Sequence, residues 1–414
     1  MRDRPRPARL GCRGNAMRRS RLLIIIFVTI STFSAIYAPQ PLLAHLAKAF
    51  QVDAAHASLI TTATLLPLGV APLFYGLLLE SVPAERVLVV AVGLLGFSSL
   101  GLAAAESYSV FMVFRLVQGL CAPAVLTCCM TLVASAGDTS AETLRRSMSI
   151  YIAATIFGGF FGRFMAGAVS TLLDWRVAFL GLGATLLCGA LLVTGLRADT
   201  SAAYTRIKPG TLLQVLRLPG FLRIYAIVFC VFFVFASLLN FLPFRLSQLG
   251  GGVSELRIGA MYAGYLVGIV VSLMAPRTVR ALGNEMRAVL LGLAVFLCVT
   301  PVFAVAGAGL SFAAMFVFCG GMFQVHSTAP GLLQRMAGNH RGVVNGLYLS
   351  FYYVGGALGT SAPGLVYEHF GWETFVLMLA GVLAFALILA VSLLGLGKTA
   401  KTALPVAEQA SPPV

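Results

Sequence analysis

Charge is what this chain of 414 residues has least of: only 10% of it is Asp, Glu, Lys or Arg, against about 25% in a typical water-soluble domain. So little charge cannot cover a water-facing surface, which excludes a soluble enzyme or soluble binding module. Acid is scarcer than base. All fourteen Asp and Glu residues fall in loops or at the ends of apolar runs, so no carboxylate is expected in mid-membrane. No clustered Asp, His or Glu set lies at one interface, which argues against a polytopic acyl or glycosyl transferase. No G-x4-GK[ST] loop occurs either, so energy would have to come from a gradient rather than from ATP. Extended outer loops are missing: Glu106–Ser109 and Gly307–Gly309 are typical, leaving no outer domain for ligand capture. The eight cysteines avoid the outer loops and show no metal-ligand spacing, so they read as small buried apolar residues rather than disulfide partners or zinc ligands. No cofactor is expected.

Long apolar stretches are what the chain has instead. Twelve runs reach the roughly 20 residues that span a bilayer: about 22–43, 57–79, 87–105, 110–135, 147–170, 177–196, 224–246, 258–276, 288–306, 310–333, 343–366 and 374–396. They are too long, and alternate too little, for a β-barrel. The net charge of +15 reflects orientation rather than nucleic-acid binding. With the N-terminus in the cytoplasm, 23 of the 29 Lys and Arg residues fall on the cytoplasmic side, the usual bias of inner loops. Both termini are then cytoplasmic. The basic N-terminus, 1–20, is expected to be disordered up to Ala16, or to precede a true start at Met17. Then follow a six-helix bundle at 21–196, a cytoplasmic linker at 197–223, a second bundle at 224–397 and a cytoplasmic tail at 398–414.

The two bundles repeat each other. Tyr151–Phe179 and Tyr348–Val376 share the pattern Y-x6-GG-x2-G-x4-G-x7-W without a gap, 197 positions apart. The pairs are Tyr151/Tyr348, Gly158/Gly355, Gly159/Gly356, Gly162/Gly359, Gly167/Gly364 and Trp175/Trp372. A parallel repeat of nearly half the chain implies an all-α integral membrane protein: twelve helices in two bundles related by an axis along the membrane normal. The only two tryptophans fall at outer helix ends, where an interfacial belt is expected. Pro41 and Pro243 occupy matching places in the first and seventh runs and permit a kink or a gate. Polar Tyr37, Gln40 and Asn240 stand beside them.

Few intramembrane side chains could carry chemistry. Arg115 shares a helical face with Gln118, Gly119 and Ala122. An arginine inside a span costs about 2.5–3.5 kcal/mol on insertion scales, so it should face inward, either toward a ligand or toward carbonyls of the first helix. Arg163 replaces Thr360 of the second copy and lies on a stripe with Gly159 and Gly167; it points into a cavity or out to the headgroups. With no acid to neutralise either arginine, a small polar or anionic solute is the expected substrate. His326 is the only histidine inside a span, near Gln324, and suits proton coupling or a bond to a neighbouring carbonyl.

Twelve spans, the 6+6 repeat, the R-x2-QG run at Arg115–Gly119 and the glycine-rich fifth span together resemble the major facilitator superfamily. The likeness covers Arg21 to Leu396 and is closest to the twelve-span drug-efflux-type proton antiporters of bacteria. The resemblance implies a secondary transporter of the bacterial inner membrane, not an enzyme, monomeric, exporting a small molecule in exchange for protons. A metabolite uniporter or proton symporter is the alternative. It further implies a coupling role for Arg115 and gating roles for Gly76, Glu80, Gly158, Gly162 and Gly167. The superfamily's inner loop G-x3-D-R-x-G-R-R reads GLLLESVPAE here, from Gly76 to Glu85, with Glu80 in place of the aspartate. The usual G-P of the fifth span reads Gly162-Arg163, and the first span lacks the acid often present in efflux members.

Overall fold

A computed structural model describes residues 8–71, 82–134, 141–196, 209–218, 220–249, 253–305, 307–337 and 341–399. Every regular element among them is helical. In the first half of the chain, α1 (Ala8–Tyr37) passes through a 3-10 turn at Gln40–Leu42 into α2 (Leu43–Ala49). Then come α3 (Ala54–Val70), α4 (Ala84–Ala104), α5 (Tyr108–Ala134), α6 (Ala141–Leu172) and α7 (Trp175–Thr194). The linker carries α8 (Pro209–Arg217). The second half holds α9 (Phe221–Gln248), α10 (Glu255–Met261), α11 (Gly264–Leu282), α12 (Glu285–Val299), α13 (Val302–Val305), α14 (Ala308–Met336), α15 (Arg341–Ser361) and α16 (Pro363–Thr399).

Among the described residues, ten stretches are long and apolar enough to cross a membrane. The runs expected at 57–79, helical as far as Val70, and at 343–366 fall short of that measure. α3 is described for only 17 residues, next to residues 72–81, which lie outside the described set. α15 has five glycines, three tyrosines and Asn345 among its 21 residues, which dilutes its apolar character. The chain is helical from Ala8, ahead of the point where order was expected to begin. The two prolines differ: Pro41 sits in the 3-10 turn after α1 has ended, whereas Pro243 lies inside a continuous α9. The last helix bends at Gly371, whose φ of 79° lies in the left-handed region that glycine adopts without strain.

Loop residues set the helix starts by accepting backbone N–H groups that have no partner within the helix. Asp53 accepts from the His56 amide, Asp174 from Arg176, Ser254 from Arg257 and Asn284 from Arg287. Large apolar side chains such as Leu191, Phe385 and Ile388 are exposed, as lipid-facing surface requires. The two tryptophans do not form an interfacial belt. Trp175 is 2% exposed within a cluster of Phe50, Phe111 and Phe179, and Trp372 is 5% exposed with its indole N–H donating to the Phe303 carbonyl at 2.7 Å. The described cysteines are free thiols.

The repeated glycines explain the helix packing. A Cβ on Gly158 would stand 2.7 Å from the Ile30 carbonyl, and one on Gly162 would overlap the Ser34 backbone, so α6 lies directly on α1. Ser34 Oγ donates to the Gly158 carbonyl at 3.1 Å. The second copy repeats the contact on α9, with Gly355 and Gly359 against Phe229 and Phe233, and Ser237 donating to the Gly359 carbonyl at 2.7 Å. The last glycine of each copy serves another contact. Gly167 meets Glu255 and Gly259 of α10, while Gly364 meets Ala55 of α3. The main packings between the chain halves are thus α6 on α10–α11 and α15 on α3. The repeat exchanges one for the other.

Candidate transport site

A cavity of ≈ 460 Å³ lies where these packings diverge, between the two halves of the chain. Residues from α1, α3, α5, α6, α9, α11, α14 and α15 line it. At one end, near the start of α6 and toward the linker, its wall includes exposed Met130, Ser149 and Ile152. At the other end, toward the turn between α1 and α3, it stops at buried Tyr37, Gly159 and Tyr265. Among the described residues, the wall is exposed at the linker end and buried at the turn end.

Ten aromatic side chains line the cavity: Phe33 and Tyr37 of α1, Tyr151 of α6, Phe232 and Phe235 of α9, Tyr265, Phe323, and Tyr348, Tyr352 and Tyr353 of α15. Phe232 and Tyr352 stack with centroids 3.8 Å apart and planes 6° apart. Hydroxyls of Thr127, Ser149, Thr155, Ser272 and Ser327 break the apolar surface. His326 is the wall's only imidazole; its Nδ1 lies 2.7 Å from Tyr348 Oη, and its ring packs on Tyr352 at 4.5 Å. No Asp, Glu, Lys or Arg is among the described lining residues.

The cavity therefore lacks the arginine lining expected from the sequence. Arg115 is fully buried behind the wall. Its Nε donates to the Ile60 carbonyl at 2.9 Å, Nη2 to Ile36 at 2.9 Å, and Nη1 to Ala35 at 3.3 Å and to Gln118 Oε1 at 2.6 Å. Gln118 passes the chain on to Ser99 Oγ at 2.9 Å. A guanidinium occupied by carbonyls of α1 and α3 ties three helices together and has no face on the cavity. Arg163 lies one layer beyond the closed end. It donates to Gln40 Oε1 and to the Gly159 carbonyl, each at 2.6 Å, and stacks near Tyr37, Tyr265 and Tyr262 at 4.0, 4.7 and 5.0 Å.

The other candidates separate. Tyr37 and His326 line the cavity. Gln40 holds Arg163, and Asn240 Nδ2 donates across the α15–α3 packing, to the carbonyls of Thr360 at 3.1 Å and Ser58 at 3.5 Å. Gln324 is not on the wall: its Cβ lies toward Gly292 of α12, and its amide bonds Thr328 on its own helix. Gly158 and Gly162 pack α6 on α1 within one half, whereas Gly167 lies between halves. Gly76 and Glu80 fall outside the described residues. Sequence reasoning overlooked the aromatic wall by following charge; the run YLSFYYV at Tyr348–Val354, dense in aromatics inside a polar-interrupted span, was the available signal.

This fold and central cavity are those of a membrane transporter, and residues 25–360 match the model of the Major Facilitator Superfamily. The chain belongs to that superfamily and is a multi-pass membrane protein. It is 26% identical over 371 residues to the inner membrane transport protein YnfM of Escherichia coli (strain K12), covering 88% of each chain. It is 22% identical over 358 residues to the multidrug efflux protein YfmO of Bacillus subtilis (strain 168), covering 84% of this chain and 87% of that one. Among solved structures, a bacterial homolog of the human lysosomal transporter Spinster, inward-facing and unoccupied, aligns with a TM-score of 0.72 at 13% identity over 91% of this chain and 95% of that one. The nucleoside transporter NupG aligns with a TM-score of 0.72 at 15% identity, covering 90% and 99%.

Proposed function

We propose that the chain is a secondary transporter that exports a ring-bearing, largely uncharged solute in exchange for protons by alternating access. The observation that carries this reading is the aromatic cavity, with hydroxyls and one imidazole but no charged side chain, open toward the linker and closed at the turn. Aromatic faces and scattered hydroxyls suit a planar amphipathic molecule. An anion in this cavity would meet no cation directly, because both arginines are engaged behind the wall. In this reading α3 and α15 are the second and eleventh of twelve spans, the spans form two six-helix bundles, and both termini are cytoplasmic. The lysine and arginine bias supports that orientation, so the open end faces the cytoplasm. The efflux function in the name of one relative supports the outward direction.

His326 is the coupling group in this reading, because it is the imidazole on the described cavity wall and Tyr348 Oη stands 2.7 Å from its Nδ1. The test uses purified protein in liposomes. Neutral aromatic compounds should raise its melting temperature, whereas matched carboxylates should not. An imposed pH gradient should drive accumulation of the compound that binds, and His326→Gln should abolish that drive while leaving binding intact. Stabilisation by carboxylates alone would refute the substrate class. Uphill accumulation by His326→Gln equal to that of the wild type would place the proton site elsewhere.

A further inference from the structure

Position 163 of the first copy and its mate 360 of the second both stand where the two halves of the chain meet. Thr360 Oγ1 lies 2.8 Å from Thr62 Oγ1 of α3, across the α15–α3 packing. Arg163 reaches Tyr262 and Tyr265, across the α6–α10–α11 packing. Eight residues further along each copy, at Thr171 of α6 and at Glu368 of α16, a side-chain oxygen again bonds the other half: Thr171 Oγ1 accepts the Leu256 amide at 2.9 Å, and Glu368 Oε1 accepts the Ala55 amide at 2.8 Å. Between them Gly167 allows the close approach of α6 to Glu255, whereas Gly364 leaves room for a Cβ against Ala55. The turn end is thus closed by two seams with hydrogen-bonded rungs at matching repeat positions.

The first rung differs most. On the α15 seam it is a hydroxyl pair. On the α6 seam it is a fully buried guanidinium among tyrosine rings, and two of those rings face two ways. Tyr37 and Tyr265 are cavity wall on one side and cage for Arg163 on the other, and Gly159 belongs to the wall while its carbonyl holds Nη1. Tyr37, Gln40 and Gly159 travel with the first half and Tyr262 and Tyr265 with the second. Separation of the halves at the turn end must therefore pull the cation off two aromatic faces while its remaining partners move with it.

We propose that Arg163 is the latch through which the contents of the cavity act on the turn-end seam, a positioning residue working through Tyr37 and Tyr265. A ring bound against those two tyrosines shifts the faces that hold the guanidinium, and so biases the closed end toward opening. This rests on the alternating-access reading above. It assigns to Arg163 a role that its mate Thr360 cannot share, because a hydroxyl pair at the other seam has no face on the cavity wall.

The test is ligand-free and uses the full chain in liposomes. Cys12 is replaced by serine, as are Cys188 and Cys298, the exposed thiols among the described residues. Spin labels are placed at exposed Gln51 and Gln248 for the turn end, and at exposed Arg146 and Arg277 for the linker end. Pulsed electron–electron resonance then reports both separations. Arg163→Met and Tyr265→Leu should each raise the population with a long turn-end and short linker-end distance at least threefold. Tyr265→Phe keeps the ring face and should match the wild type, a rescue that a merely structural tyrosine hydroxyl would not give. If Arg163→Met and Tyr265→Leu both keep the wild-type distances, the latch is wrong. Gly167→Ala separates the two failures, because its Cβ would overlap the Glu255 carbonyl and wedge the same seam. Reciprocal distance changes in Gly167→Ala without any in Arg163→Met refute the latch alone; no reciprocal change in any variant refutes alternating access itself.

Discussion

Arg115 illustrates how far a residue's type can mislead about its work. As an arginine inside an apolar span it invites a ligand, yet its four donations go to protein oxygens. An ammonium cannot reach carbonyls on two helices and Gln118 together, and each buried acceptor left without its donor costs about 1–3 kcal/mol. Arg115→Lys should therefore lower the melting temperature in detergent by several degrees while the folded fraction keeps its affinity for the transported compound. An unchanged melting temperature with lost binding would return Arg115 to the cavity. Asp53 supplies a residue-scale pH effect outside the membrane. The His56 amide bonding its carboxylate holds the Asp53 carboxyl below its ordinary value. A lowered folded value means that the cap stabilises α3 above the ordinary carboxylate range and fails as pH falls through the lowered value. Amide exchange at His56 should accelerate in strong acid in the wild type, and should be fast at every pH in Asp53→Ala.

At the scale of the helix, close approach is set by glycine, and its effect can be measured position by position. Gly162→Ala would force the Ser34 backbone aside, an overpacking that costs about 1–3 kcal/mol. Gly381 of α16 has nothing within 4 Å of an added Cβ, and alanine is the better helix former by about 1 kcal/mol. Thermal unfolding should show Gly162→Ala destabilised and Gly381→Ala equal to or above the wild type. Ten of the twelve expected spans and the repeated glycine packing were legible because bilayer crossing demands apolar length and close packing demands small residues, and both demands write themselves along one helix. The site was not. Whether Arg115, Gln118 and Gln324 face a cavity or a neighbouring helix depends on partners 19 to 80 residues away in sequence, or on the adjacent span in the case of Gln324. The aromatic residues of the wall come from six helices, and only α15, with its YLSFYYV run, carries a pattern distinct from lipid-facing apolar sequence. His326 was legible because a lone imidazole within a span has no apolar explanation.

For the molecule as a whole, orientation is the property on which direction of transport depends. A membrane-impermeant maleimide applied to intact cells should label Lys48→Cys and Glu368→Cys, both at the closed turn end, and should leave Arg277→Cys unlabelled until the membrane is opened. Outside labelling of Arg277→Cys would invert the molecule and turn the proposed export into import. The same cells fix the state: if the turn end is closed at rest, a cysteine at Tyr37, which is 8% exposed, should react from the cytoplasmic face alone.

The acceptors of Arg115 also carry a temporal order. Ala35, Ile36 and Ile60 all precede it in the chain, as does Ser99, which steadies Gln118. A ribosome releases them first, so when the fifth helix enters the bilayer the oxygens that will neutralise its guanidinium are already there. A helix that would be costly to insert alone is inserted beside its partners. Moving α1 behind α5 by circular permutation would keep every contact of the finished protein and remove that order. Such a permuted chain should be degraded during synthesis, even though the fold it specifies is unchanged.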